Sequence, residues 1–228
     1  MKPVLVAHGT RKAHGVEMIA ELADDVSAAL GTRVHTAFVD VLGPTPCDVL
    51  RALGDDEPAV VVPAFLSSGY HVRKDLPEHV AASGHRDVVV TEALGPSVAI
   101  TRVLAERLVE AGWQPGDSVV MAAAGTSDPR AQRDLRVAAA TLSAAIGQRV
   151  ELAYAATGEP RVRDAVARMR ATCGGRVVVA SYLLADGLFQ DRLRDSGADL
   201  VADPLGTHPG LTRMIAARFR RALLPVSA

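Results

Sequence analysis

Three groups able to ligate a metal or move a proton stand just past runs of apolar residues. His8 follows Val4-Leu5-Val6-Ala7, Asp40 follows residues 34–39, and His71 comes a short loop after Ala59-Val60-Val61-Val62-Pro63. Continuous apolar runs stopped by Gly or Pro read as central strands of a parallel sheet with both faces covered. In open α/β sheets ligands bind beyond the carboxyl ends of such strands, so the three side chains are expected to converge. Two neutral imidazoles and a carboxylate suit a borderline divalent ion such as iron, cobalt, nickel or zinc. Three protein ligands leave positions open for water or substrate, unlike a closed structural zinc site. Asp40 has a plainer reading as a turn or cap residue.

The neighbours of these groups point to the second reactant. Gly9 and Thr10 follow His8, and Gly9 lets the backbone approach a bound group. Arg11 and Lys12 come next, as Arg73 and Lys74 do after His71. Paired cations beside a metal site suit an anionic substrate held by charge-assisted hydrogen bonds, although exposed helix starts carry the same residues. Ser67-Ser68-Gly69 is small and flexible, which lets a flat, bulky ligand lie against the backbone.

An internal repeat gives the histidines weight. Moving His8 onto Ala124 carries Ala7-His8-Gly9-Thr10 onto Ala123-Ala124-Gly125-Thr126, Ala37-Phe38 onto Ala153-Tyr154, Pro44 onto Pro160 and Asp48 onto Asp164, without a gap. A gap of one or two then brings Val60-Val61-Val62 to Val177-Val178-Val179, and Leu94-Gly95 meets Leu205-Gly206. In the second copy His8 becomes Ala124, Asp40 becomes Ala156, and His71 falls on Leu188 or Phe189. Merely structural histidines would not be expected to turn apolar together.

The elements that must position these groups alternate from end to end. Strands are expected over 3–8, 34–39, 59–63 and 87–91, with helices over 14–30, 48–53, 70–82 and 98–111. After Gly116-Asp117 the pattern restarts, with strands over 118–123, 150–154, 176–180 and 200–202 and helices over 130–146, 161–172, 187–195 and 211–223. Such alternation implies parallel sheets with right-handed crossovers. The expected fold is α/β: two similar lobes, each a four-stranded parallel sheet flanked by helices. The lobes span 1–113, with the metal site, and 117–228, a degenerate copy forming the opposite wall of a cleft.

Composition narrows the function. The chain has 228 residues, 49% of them hydrophobic, and a net charge of −1, so it lacks the basic stripe that nucleic acid requires. No apolar run approaches the length of a membrane span. Strand-like residues follow Met1 at once, so no leader is expected and the cytoplasm is the expected location. Cys47 and Cys173 read as buried thiols of a reducing compartment rather than a disulfide or zinc pair. His14, His79 and His85 fall on surface, His35 on a strand face away from the core, and His208 in a helix-start loop. No P-loop, Gly-x-Ser-x-Gly elbow or Gly-x-Gly-x-x-Gly fingerprint is present.

Together, residues 6–11, Phe38-Val39-Asp40 with Pro44-Thr45, Pro63-Ala64-Phe65-Leu66, and Gly69 through Pro77 resemble the sirohydrochlorin chelatases, the class II tetrapyrrole chelatases of siroheme and cobalamin synthesis. The resemblance extends to Ala124–Pro129 and Gly206–Pro209. It implies two α/β lobes facing a cleft for the macrocycle, and metal-binding histidines at His8 and His71. The family's acidic ligand, commonly Glu, matches Asp40, whose side chain is shorter. The His-rich tail of some members is absent; the chain ends Leu224-Pro225-Val226-Ser227-Ala228. The implied activity is insertion of a divalent metal into sirohydrochlorin, with Fe2+ as substrate giving siroheme, or Co2+ in cobalamin synthesis. Gly9, Thr10, Arg11, Lys12, Ser67, Ser68, Gly69, Arg73 and Lys74 would receive the substrate and its carboxylates. No organic cofactor, nucleic acid or membrane is expected as a partner, and a monomer is. A protein that stores or delivers metal or tetrapyrrole without turnover is the rival of another class.

Overall fold

The computed structural model describes residues 1–54 and 56–222. The first sheet has the order β2-β1-β3-β4, all parallel, built from β1 (Lys2–Ala7), β2 (His35–Phe38), β3 (Ala59–Pro63) and β4 (Val88–Val90). Helices α1 (Ala13–Leu30), α2 (Pro46–Leu53) and α3 (Leu76–Ser83) connect them. The second sheet repeats this as β6-β5-β7-β8, from β5 (Ser118–Gly125), β6 (Val150–Thr157), β7 (Val177–Tyr182) and β8 (Leu200–Val201). Its helices are α5 (Pro129–Ile146), α6 (Val162–Cys173) and α7 (Leu188–Arg194). The remaining two are α4 (Val98–Glu110) and α8 (Pro209–Ala222); the expected end of the last helix, Leu223, lies outside the described residues.

Central strands are apolar on both faces because helices cover both. Val4, Val6, Val61 and Leu50 share one buried cluster, and Val120, Ala122, Val179 and Leu193 share its counterpart. The α2 helix starts earlier than its apolar spacing indicates, because Thr45 and Asp48 form a reciprocal capping box with Pro46 behind the cap. The Thr45 hydroxyl and backbone hold the Asp48 carboxyl below the usual range.

The compact units differ from the expected lobes 1–113 and 117–228. One unit is Met1–Leu94 with the chain from Thr207 on; the other is Gly95–Gly206. The reason lies in α4 and α8. Ile100, Val103, Leu104 and Leu108 of α4 are buried, in a helix that packs on β7 and α5 of the second sheet. Leu211, Ile215 and Phe219 of α8 are buried in a helix that packs on α1 and β3 of the first. Each such side chain contributes about 1.5–3 kcal/mol before chain entropy is counted. Arg218 adds hydrogen bonds to the Glu92 and Ala93 carbonyls, at 2.5 and 2.6 Å. The last helix of each sequence repeat therefore completes the other repeat's sheet, and the crossings fall at the matched pairs Leu94-Gly95 and Leu205-Gly206.

At the amino end of β5, Arg176 Nε and Nη2 donate to Asp117 Oδ1 and Oδ2 at 2.9 and 2.7 Å. This pairing holds the Asp117 carboxyl below the usual range. Among the described residues no helix is long and apolar enough to cross a membrane. Cys47 is buried, but Cys173, at the end of α6, is exposed, contrary to expectation.

Candidate active site

The first sheet ends its central strand one residue before His8. The His8 carbonyl still accepts the Asp40 N–H at 3.2 Å, which extends the β1–β2 pairing past both strands. This approach is why position 9 is glycine. Gly9 has φ 94°, and a Cβ there would lie 2.3 Å from the Asp40 carbonyl oxygen. Gly9 thus lets the neighbouring strand end approach. Gly125 does the same in the second copy, where a Cβ would lie 1.9 Å from the Thr157 oxygen.

Asp40 opens a tight turn. Its carbonyl accepts the Leu42 N–H at 2.8 Å, and the intervening Val41 has φ 70°. A positive φ at a β-branched residue is strained, as in the rare γ-turn of this hand. Asp40 Oδ1 accepts the Val41 N–H at 2.7 Å. The carboxylate thus supports its own turn, as a turn residue does. Among the described residues no three His, Cys, Asp or Glu side chains are grouped to hold a metal ion.

The two histidines do come together. Their ring centroids lie 4.7 Å apart, edge to face. His71 is also flanked by Phe65, stacked at 6.3 Å, and by Tyr70, edge-on at 6.0 Å. It opens a π-helical turn, His71–Asp75, in which the Leu76 N–H reaches back to the His71 carbonyl. The spacing of residues 70–82 predicts only a regular helix. Pro77 explains the departure: it has no N–H for the Arg73 carbonyl, and its ring would crowd that carbonyl in an α-turn. Asp75 Oδ2 lies 2.5 Å from His71 Nδ1. Residue type alone did not single out Asp75; its place four residues after His71, on the same helix face, is the signal that was available.

The expected substrate-binding residues divide. Thr10 Oγ1 accepts the Lys12 N–H at 3.3 Å, which turns the chain into α1. Arg11 and Lys12 are exposed there, and Lys12 occupies the N-cap of α1 without capping it through its side chain. Arg73 Nε donates to the Ser68 carbonyl at 3.1 Å, so it braces the Ser67-Ser68-Gly69 loop. Lys74 Nζ lies over the Tyr70 ring at 5.5 Å. A cavity of about 300 Å3 elsewhere in this unit is lined by Asp24, Arg33, His35 and Thr36, among others, and by neither site histidine. Burial there, with Arg33 and Lys2 nearby, lowers the His35 pKa. His208 is buried and its Nδ1 accepts the Gly210 N–H at 3.1 Å, a helix-start role as expected. His79 and His85 are half-buried rather than on the surface.

Strand register settles which residue replaces His71. Val4 pairs with Val61, and Val120, the match of Val4, pairs with Val179. Counting on from there, Gly69 meets Gly187 and His71 meets Phe189.

Residues 2–111 and again 118–222 match the CbiX family model, as two copies of one unit should. The chain belongs to the CbiX family. This is the sirohydrochlorin chelatase family that its motifs resemble. A sirohydrochlorin ferrochelatase of Priestia megaterium is 23% identical over 236 residues, covering 96% of this CbiX chain and 89% of that protein. A sirohydrochlorin cobaltochelatase of Methanothermobacter thermautotrophicus is 26% identical over 129 residues, which is 90% of that protein and 47% of this chain. Among solved structures, SirB from Bacillus subtilis with Fe3+ has a TM-score of 0.81 at 19% identity, covering 97% of this chain and 96% of that one. At that identity the likeness establishes the fold.

Proposed function

We propose that this CbiX-family chain inserts a divalent metal ion into sirohydrochlorin, with Fe2+ the favoured substrate and siroheme the product. The observation that carries the reading is the His8–His71 pair at the carboxyl ends of β1 and β3, in a chain related over nearly its whole length to a sirohydrochlorin ferrochelatase. Insertion requires partial dehydration of the ion and loss of two pyrrole protons. The imidazoles hold the ion until the macrocycle takes it. A ring nitrogen cannot hold ion and proton in one lone pair, so passing the ion on frees it to accept a pyrrole proton and release it to water. Asp40 joins the ligand set by exchanging the Val41 N–H for the ion. Arg11, Lys12, Arg73 and Lys74 meet the carboxylates of the tetrapyrrole.

A second reading has cobalt as the metal, favoured by the relationship to a cobaltochelatase. Imidazole and carboxylate accept either ion. The test mixes purified protein with excess sirohydrochlorin and either Fe2+ or Co2+, and follows the macrocycle absorption. Spectral change beyond one equivalent per chain is expected, faster with Fe2+. A faster cobalt reaction assigns the second reading, and a change that stops at one equivalent makes the chain a binding protein and overturns both.

A further inference from the structure

We propose that Asp75 is the positioning residue of His71, fixing the imidazole tautomer that presents Nε2 to the metal ion; this rests on the assignment of His71 as a metal-holding group. The geometry is direct. Asp75 Oδ2 lies 2.5 Å from Nδ1, with the two side chains 22% and 33% exposed. A carboxylate only accepts hydrogen bonds, so Nδ1 must donate. A neutral imidazole has a single N–H; with it on Nδ1, the lone pair of Nε2 is free for an ion. Phe65 on one side and His8 on another limit ring rotation, so the hydrogen bond sets both tautomer and direction.

The repeat supplies an independent observation. Where His71 becomes Phe189, the second copy has no carboxylate four residues on: Leu193 stands there, fully buried in the core of the second sheet. A carboxylate kept only to support the helix would have no reason to vanish together with the histidine. In the first unit the next residue, Leu76, carries the apolar contact instead, and it is fully buried. The π-helical turn inserts the extra residue that lets Asp75 face the imidazole while Leu76 faces the core.

The test is a double-mutant cycle on the full chain, read by Co2+ affinity in calorimetry, with tautomers read by long-range 1H–15N NMR of the metal-free protein. Wild type should show His71 with its proton on Nδ1. Asp75→Ala should mix the tautomers of His71 and weaken Co2+ binding by about 10–100-fold. Asp75→Asn keeps an acceptor oxygen and should recover part of both. In a His71→Ala background, Asp75→Ala should cost nothing further, because its effect passes through the imidazole. An equal loss in that background would make Asp75 a ligand in its own right and overturn the proposal. So would an unchanged tautomer with unchanged affinity. None of these measurements involves sirohydrochlorin, so failure of the proposed reaction would leave them standing, and their failure would leave the reaction standing.

Discussion

The connection from β1 to α1 and the connection from β5 to α5 begin on the same backbone and finish differently. Each has a glycine at positive φ pressed against the neighbouring strand end, and a threonine hydroxyl accepting the N–H two residues on, Lys12 in one and Asp128 in the other. Asp128 then caps α5, accepting the Arg130 N–H at 2.8 Å, with Pro129 at the first helical position. Lys12 holds the same place in α1, where its charge opposes the helix dipole and its side chain caps nothing. At these positions the second copy has the residues that favour stability: Ala124, an Asp cap on α5, Phe189 and Leu193. The first copy forgoes a cap, keeps two histidines, and holds Val41 in a strained turn. Local rules that fail around the two histidines and hold at the matching positions of the other copy point to where chemistry outweighs stability.

The sharpest break of this comparison is at the histidines. His8→Ala copies the residue of the second unit, and His71→Ala removes an imidazole the second unit lacks, so each should leave the melting temperature nearly unchanged. Each should lower metal insertion at limiting metal by at least the roughly 100-fold that bounds outer-shell effects. Wild-type rates in both variants would remove the pair from the mechanism. The glycines test the shared part. Gly9→Ala and Gly125→Ala should both destabilise, on the order of 2–4 kcal/mol in denaturant unfolding, because each Cβ meets a carbonyl at a φ that L-residues avoid. If Gly9→Ala kept full stability and lost only tetrapyrrole binding, the glycine would face the ligand after all.

The caps should give a smaller effect of opposite sign in the two copies. Lys12→Asp should stabilise α1, and Asp128→Ala should destabilise α5, each by about 1 kcal/mol in thermal unfolding. Lys12→Asp should also raise the Michaelis constant for sirohydrochlorin, whereas Asp128→Ala should not. The smallest effect belongs to the opposite end of the second sheet. Arg176 holds the Asp117 carboxyl below its ordinary range, so the pair stabilises the fold above the unfolded value and stops doing so as pH falls through the folded one. Asp117→Asn should therefore lower the melting temperature by a few degrees at neutral pH, and the gap from wild type should close in acid. A gap independent of pH would mean that the packing of the side chain, and not its charge, matters.

Much of this was legible in the sequence because both copies obey the same periodicities. Ala59–Pro63 is a strand over the residues its apolar run marks, and Gly31 ends α1 in the left-handed conformation, as a C-terminal glycine should. The approach of His8 and His71 follows from strand ends alone. The turn at Asp40 did not follow, because a carboxylate beside a strand end reads equally well as a metal group or a turn group, and the positive φ of Val41 leaves no mark in the sequence. The π-helical turn was hidden because Pro77 reads as an ordinary first-turn proline. The extent of the units was hidden for another reason: an amphipathic helix such as α4 shows which face it buries and says nothing about which sheet buries it.

The placement of α4 and α8 makes the two halves of the chain mutually dependent parts. A chain cut between Trp113 and Asp117 yields two fragments, each carrying the helix that completes the other's sheet and lacking the one that completes its own. Neither is a folding unit, yet a stoichiometric mixture holds every element both units need. The peptide link at that point is then a tether rather than a structural member. Co-expressed halves should reassemble as a split protein, and a single repeat on its own could meet the same need only by trading helices with a second copy of itself.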